Sequence, residues 1–182
     1  MKRLNILLGL LLPFCLQPAY AQDPQFSQFY SNQVLLSPAF TGAGEGPRLA
    51  MNFRNQWPSI PNSFITGAVS FDMPFYFGAR SRFPRHGLGV SLLADQAGAG
   101  NLQQLQAVFS YSYLISLGRD YDHNIRLGVG GGIRQTSIDF FRLRFGDAID
   151  PVNGPQATSE ALGGDSRTNE EFRAGVVYYN EF

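Results

Sequence analysis

Cysteine is nearly absent: Cys15 is the only one in 182 residues. That excludes a disulfide framework and a cysteine-rich zinc site. Lysine is as scarce, with Lys2 alone, and the formal net charge is zero. A general nucleic-acid binder needs a basic face, and this composition supplies none. Charged residues make up only 15% of the chain, against 44% hydrophobic. A disordered chain shows the reverse balance. Long apolar runs are missing too. After the first segment nothing approaches the roughly 20 residues of a transmembrane helix. What the chain does hold is glycine, at 20, and phenylalanine, at 16.

The first segment reads as an address. Lys2 and Arg3 precede an apolar stretch from Leu4 to Leu12, and Ala19-Tyr20-Ala21 is a small-x-small cleavage site. This is the pattern of a secretory signal peptide over 1–21, cut near Ala21. Its apolar core is too short to remain in a bilayer as a span. Cys15 invites a lipoprotein reading, but Phe14 stands where a small residue is expected. Cutting after Ala21 takes the cysteine and the lysine away and leaves 161 of the 182 residues. Twelve arginines then face fourteen acids, a charge of about −2.

The remainder alternates with period two, which is strand spacing and not helix spacing. Over 48–57, Leu49, Met51, Phe53 and Trp57 oppose Arg48, Asn52, Arg54 and Gln56. The same alternation runs over 64–73, 87–95, 104–116 and 124–136, with a less regular sixth strand over 172–180. Turn signals separate them at 58–62, 96–101 and 117–123, and 140–169 is a longer stretch rich in Gly, Asp and Ser. No exact internal repeat appears.

Several of these strands are close to ten residues, longer than the about five or six usual in soluble sheets. A transmembrane strand needs about 9–11. One face is apolar; the other carries Arg, Asn, Gln, Ser and Asp. In a soluble, secreted β-sandwich the apolar faces pack on each other, whereas in an outer-membrane barrel they meet lipid. Alternation alone does not choose between the two. The export signal favours the barrel, as do aromatics near strand ends (Trp57, Phe71, Phe75, Tyr113, Tyr178), placed as in interfacial girdles. Glycines inside strands (Gly67, Gly87, Gly89, Gly128, Gly130, Gly132) fit the bends of a curved wall. Residues 22–46 form an arm ahead of the barrel strands of 47–182. The spacing of Phe26, Tyr30 and Val34 predicts a short helix ended by Ser37-Pro38, followed by a flexible hinge over 41–46.

Little here points to catalysis. His86 and His123 are the only histidines, both at strand edges, and are read as interface or turn residues. No serine sits in a G-x-S-x-G elbow. A small outer-membrane enzyme acting on lipid would need a Ser-His or Asp-His cluster at one rim. Asp72 and Asp95 share the polar face and suit pairing with Arg48, Arg54, Arg126 or Arg134 better than acid–base work. The glycine run 128–132 lacks the third glycine of a dinucleotide fingerprint, since Ile133 stands there, and no helix follows it. Asp147, Asp150 and Asn153-Gly154 have the wrong spacing for an EF-hand loop. No catalytic residue, metal or cofactor is expected.

Four ordered motifs remain. They are 22–30 (Gln-Asp-Pro-Gln-Phe-Ser-Gln-Phe-Tyr), 37–42 (Ser-Pro-Ala-Phe-Thr-Gly), 54–58 (Arg-Asn-Gln-Trp-Pro), and 87–89 leading into Asp95-Gln96-Ala97-Gly98. Together they resemble the PorP/SprF family of Bacteroidetes outer-membrane proteins of type IX secretion and gliding motility. The resemblance covers essentially the whole mature chain. It implies an all-β, antiparallel transmembrane barrel without enzymatic activity. It also implies a role in export or surface attachment of cargo such as gliding adhesins. The implied partners are outer-membrane lipid, secretion-system components, exported cargo and a periplasmic partner at the arm. On the family motifs, the residues expected to carry partner binding are Asp23, Pro24, Phe26, Ser27, Gln28, Pro38, Ala39, Gly42, Asn55, Gln56, Trp57 and Pro58. Family members are usually much longer, and single-chain bacterial barrels have at least about eight strands. About six strands therefore read as an incomplete barrel, a fragment or a chain completed by others. With the arm in the periplasm, the 140–169 stretch falls at the cell surface and the arginine-bearing 73–86 connection on the periplasmic side.

Overall fold

The computed structural model describes residues 26–59, 63–76, 85–98, 100–117, 123–140, 149–150, 154–155 and 166–180. Six long strands form one antiparallel sheet: β1 (Arg48–Gln56), β2 (Phe64–Phe75), β3 (His86–Ala97), β4 (Leu102–Leu117), β5 (His123–Ser137) and β8 (Ser166–Asn180). Between the last two lies a two-residue ladder of β6 (Ile149–Asp150) with β7 (Gly154–Pro155). The order β1-β2-β3-β4-β5-β8 is a meander, each long strand beside its predecessor. Among the described residues β1 and β8 are each paired on one side only, so the sheet is not closed.

The period-two reading holds along all six strands. In β1 the side chains of Leu49, Met51, Phe53 and Asn55 are exposed while those between are half-buried. The two faces are inverted relative to a soluble protein. Buried on the inner face are Thr66, Ser70, Asp72, Ser91, Gln106, Ser110, Ser112, Asn124 and Arg126. On the outer face Phe53 is 73% exposed, Phe172 81% and Val129 58%. The stacking of apolar faces that a sandwich requires does not form among the described residues.

β2 to β5 extend one or two residues past the ranges read from the sequence, and three features depart further from that reading. β1 stops at Gln56, and Trp57 turns out of it with φ 57°, its ring edge-on to Phe64 at 5.5 Å. β8 begins at Ser166 rather than 172. Its added residues are Ser, Arg, Thr, Asn and Glu, which carry no apolar alternation but complete the ladder with Thr136 and Ser137. The arm is not one helix. It is a 3-10 turn at Phe29–Ser31, a single α turn α1 (Gln33–Leu36) and a second 3-10 turn at Pro38–Phe40. Asn32 and Ser37 have non-helical backbone at the joints, as the residue before Pro38 should. The signal-peptide reading over 1–21 and the arginine-bearing stretch 77–84 lie outside the described residues.

Candidate functional site

The arm is laid across the inner face of the sheet, at the end where β1 begins. Its path follows one transverse row of the ladder. Gly87 pairs with Ser112, Ser112 with Gly128, and Gly128 with Gly175. All four are inward and small. Ser37 lies over Gly175, Pro38 and Ala39 over Gly128, and Thr41 over Gly87. A Cβ on Gly128 would fall inside van der Waals contact of the Ala39 backbone nitrogen, and one on Gly87 inside that of the Thr41 carbonyl oxygen. These glycines are therefore a trough for a crossing chain. That corrects the curvature role expected for Gly87 and Gly128. Gly42 closes the crossing with φ 62°, and a side chain there would stand 2.5 Å from the Gly87 Cα. Only glycine satisfies both conditions.

Two buried charges hold this chain by its backbone. Asp72, 1% exposed, accepts the Gly42 N–H at 2.8 Å through Oδ2 and Arg48 Nε at 3.0 Å through Oδ1. Arg126, 2% exposed, donates from Nη1 to the carbonyls of Gly42 at 3.0 Å and Thr41 at 3.3 Å, and to Ser112 Oγ at 3.2 Å. Ser112 Oγ in turn donates to the Thr41 carbonyl at 2.5 Å. The remaining ties are outlying. Arg48 Nη1 donates to Gln33 Oε1 at 2.8 Å, Ser70 Oγ to Asn32 Oδ1 at 2.6 Å, and Arg173 Nη1 to the Leu35 carbonyl at 3.2 Å. Asn52 also bonds Ser31. The arm itself buries few apolar side chains, chiefly Val34, Pro38 and Ala39.

The expected charge pairing of the inner face is found in part. Asp72 meets Arg48, and Asp95 accepts from Thr66 Oγ1 at 2.5 Å. Arg134 pairs with Glu171 at 3.1 Å, which also takes Arg173 at 2.6 Å. Arg126 meets carbonyls in place of a carboxylate, because it reaches from β5 to the Thr41 and Gly42 carbonyls that the arm supplies where it crosses toward β3. Between arm and sheet is a cavity of about 410 Å³ bordered by Phe26, Phe29, Leu36, Leu93, Gln106 and Arg173.

The motif residues fall into two separate groups. Pro38, Ala39 and Gly42 form the buried crossing; Phe26 and Gln28 border the cavity, and Ser27 is exposed. Asn55, Gln56, Trp57 and Pro58 lie at the opposite end of β1, Asn55 pointing outward and Gln56 bonded to Arg54. Asp23 and Pro24 lie outside the described residues. The two histidines stand on the outer face at the arm's end of the sheet. His86 Nδ1 is 2.7 Å from the Tyr111 hydroxyl, and His123 Nδ1 is 2.8 Å from that of Tyr178. Among the described residues no group of three His, Cys, Asp or Glu could hold a metal ion.

A long-stranded antiparallel sheet with an apolar outer face and a polar inner one fits the barrel that the sequence resemblance implied. The family described as "Type IX secretion system membrane protein PorP/SprF" matches residues 19–182. The chain belongs to the PorP/SprF family. No curated protein and no solved structure matches it. As a PorP/SprF protein it is a membrane component of type IX secretion and works with the other components of that system. Among its described residues no helix is long and apolar enough to cross a membrane.

The glycine trough makes a contrast that can be measured. Gly67 has open space where a Cβ would go, and Gly131 has only the Phe172 ring at 4.0 Å. Gly67→Ala and Gly131→Ala should leave thermal stability within about 1 kcal/mol of the parent, on the stabilising side if anything. A loss of several kcal/mol at either position would contradict the trough, since strand glycine would then matter everywhere.

Proposed function

We propose that this PorP/SprF protein is a non-enzymatic outer-membrane β-barrel component that assists export and surface attachment of cargo proteins such as gliding adhesins. The observation that carries the membrane part is the apolar, uncovered outer face of all six strands opposite a polar, arm-covered inner face. On β4 the outward residues from Leu105 to Ile115 are apolar or tyrosine. About ten steps of about 3.4 Å, tilted by about 45°, project to about 25 Å, the height of an outer-membrane barrel's apolar band. His86, Tyr111, Tyr113, His123 and Tyr178 edge this band at one end, as interfacial aromatics do. Toward its other end stand Gln96, paired with Gln103 past Leu105, and Gln135, paired with Leu105 itself.

The edges of β1 and β8, unpaired among the described residues, support a wall completed by further strands, because a lipid-exposed sheet edge is not tolerated. With the arm's end of the sheet in the periplasm, the end where β5 stops at Ser137 and β8 starts at Ser166 faces the cell surface. The cargo role is inherited from the family. A signal peptide cut near Ala21 delivers the chain. With Ser37–Gly42 committed to the sheet and Phe29 and Leu36 bordering the inner-face cavity beside Leu93 and Gln106, an arm-borne periplasmic contact requires the arm to leave this seat.

Arginine on the outer face tests the membrane part. Val129→Arg, near mid-band, should cost about 2–4 kcal/mol of folding stability in bilayers. It should also lower the heat-modifiable outer-membrane band on gels. Gln135→Arg, at the band's edge, should cost less than about 1 kcal/mol. Equal tolerance of both, or recovery of the protein from periplasm without detergent, would overturn the reading.

A further inference from the structure

We propose that the segment from Ser37 to Gly42 is a releasable stopper that closes the barrel lumen at the end where β1 begins, with Arg126 and Asp72 as its catch. This rests on the barrel reading and adds to it a gate.

Three observations carry it. The segment crosses the described wall at one level, touching β8 at Gly175, β5 at Gly128, β4 at Ser112, β3 at Gly87 and β2 at Asp72. In the closed barrel of the proposed function, a chain laid across five strands in this way occupies the lumen beside them and obstructs passage along this wall. The trough is cut to backbone dimensions, so it fits this chain and not a passing solute. The catch grips main-chain groups, the Gly42 N–H and the carbonyls of Thr41 and Gly42, and so fixes where the chain runs.

The seat is also built to let go. Between Ser37 and Gly42 the fully buried apolar side chains are the small ones of Pro38 and Ala39, and the polar ties are hydrogen bonds that water replaces on release. The seat leaves Thr41 Oγ1, Asn32 Nδ2 and Arg126 Nε buried without partners among the described residues. Unpartnered buried groups penalise the seated state and relax when the arm leaves. An element held by polar ties with few buried apolar contacts belongs to the low-stability end of a fold, where movable parts are drawn from.

The test is conductance of the native full-length protein in planar bilayers, with a heat-modifiability gel on every sample. The seated parent should be closed apart from rare openings. Arg126→Gln should raise the open fraction by about 10- to 100-fold, the worth of one or two charge-assisted hydrogen bonds. Adding Asn32→Cys and Ser70→Cys, whose parent side chains are 2.6 Å apart, allows a short reversible dithiol-reactive tether. The tether should return the variant to the closed state, and reductant should reopen it. If Arg126→Gln gives no folded band, Ser112→Ala, which removes one hydroxyl, serves in its place with the same expectations. A parent that is open at rest, or a variant whose conductance ignores the tether, overturns the stopper while the heat-modifiable band upholds the barrel. Absence of that band from the parent overturns both.

Discussion

Gly128→Leu is expected to prevent the arm from seating, with a loss of at least about 3 kcal/mol, the upper end of what forced overpacking costs. The reason is geometric. The first atom of any side chain at 128 meets the backbone of Pro38 and Ala39, and backbone cannot swing aside as a flexible side chain would. The arm must lift, and with it go the bonds from Arg126 and Asp72 to Thr41 and Gly42. Chymotrypsin reads this directly, because Phe29, Tyr30 and Phe40 are all arm residues. In the parent Phe40 should resist cleavage; in Gly128→Leu it should be cut quickly, while Gly67→Leu should stay like the parent. Slow cleavage of Phe40 in both would mean that the arm does not depend on the trough.

Asp72→Ala is the second large effect. It leaves the Gly42 N–H and the Arg48 guanidinium without their shared acceptor on a buried inner face. Asp72 is 1% exposed and Arg48 32%, so the loss should be about 2–4 kcal/mol, below the about 3–5 of a fully buried pair. Asp72→Asn keeps an acceptor and should cost about 1–3 kcal/mol, the range for an imperfectly satisfied buried group. Combining Asp72→Ala with Arg48→Met removes the orphaned cation. The double variant should then recover at least about 1 kcal/mol relative to the summed singles, the signature of direct coupling. Thermal unfolding in detergent, with the four members of the cycle side by side, measures it. Strict additivity would mean that Asp72 and Arg48 act independently.

Most of the strand framework was legible because period two is a local signal. Leu49, Met51 and Phe53 against Arg48, Asn52 and Arg54 need no knowledge of neighbouring strands. The start of β8 was not, since Ser166 to Glu170 have no apolar face and become a strand only by pairing with Ile133 to Ser137. The arm was recognised by its composition and motif, and its break at Ser37-Pro38 by the restriction that proline imposes. Its seat was not foreseen. Gly87, Ser112, Gly128 and Gly175 lie on four strands, and only the register brings them into one row. Arg126 had inward parity as its one local clue, and Asp72 was singled out as a lumen charge without its bond to Gly42. The resemblance to PorP/SprF proteins pointed at Pro38, Ala39 and Gly42 without saying what they touch. Trp57 and Pro58, in the same set of motifs, lie at the other end of β1.

The central claim is that odd-numbered positions of β4 face lipid and even-numbered ones face the covered interior. A single-cysteine spin-label scan from Leu105 to Ile115 in bilayers tests it, with power saturation by oxygen at each site. Cys15→Ala in the background removes the one cysteine of the sequence, so that each label is unique. The account predicts high oxygen accessibility at Phe109 and Tyr111 and low accessibility at Val108, Ser110 and Ser112, alternating without interruption. Protection at the odd positions with exposure at the even ones would mean that the apolar face is a packed core, and the membrane reading would fall.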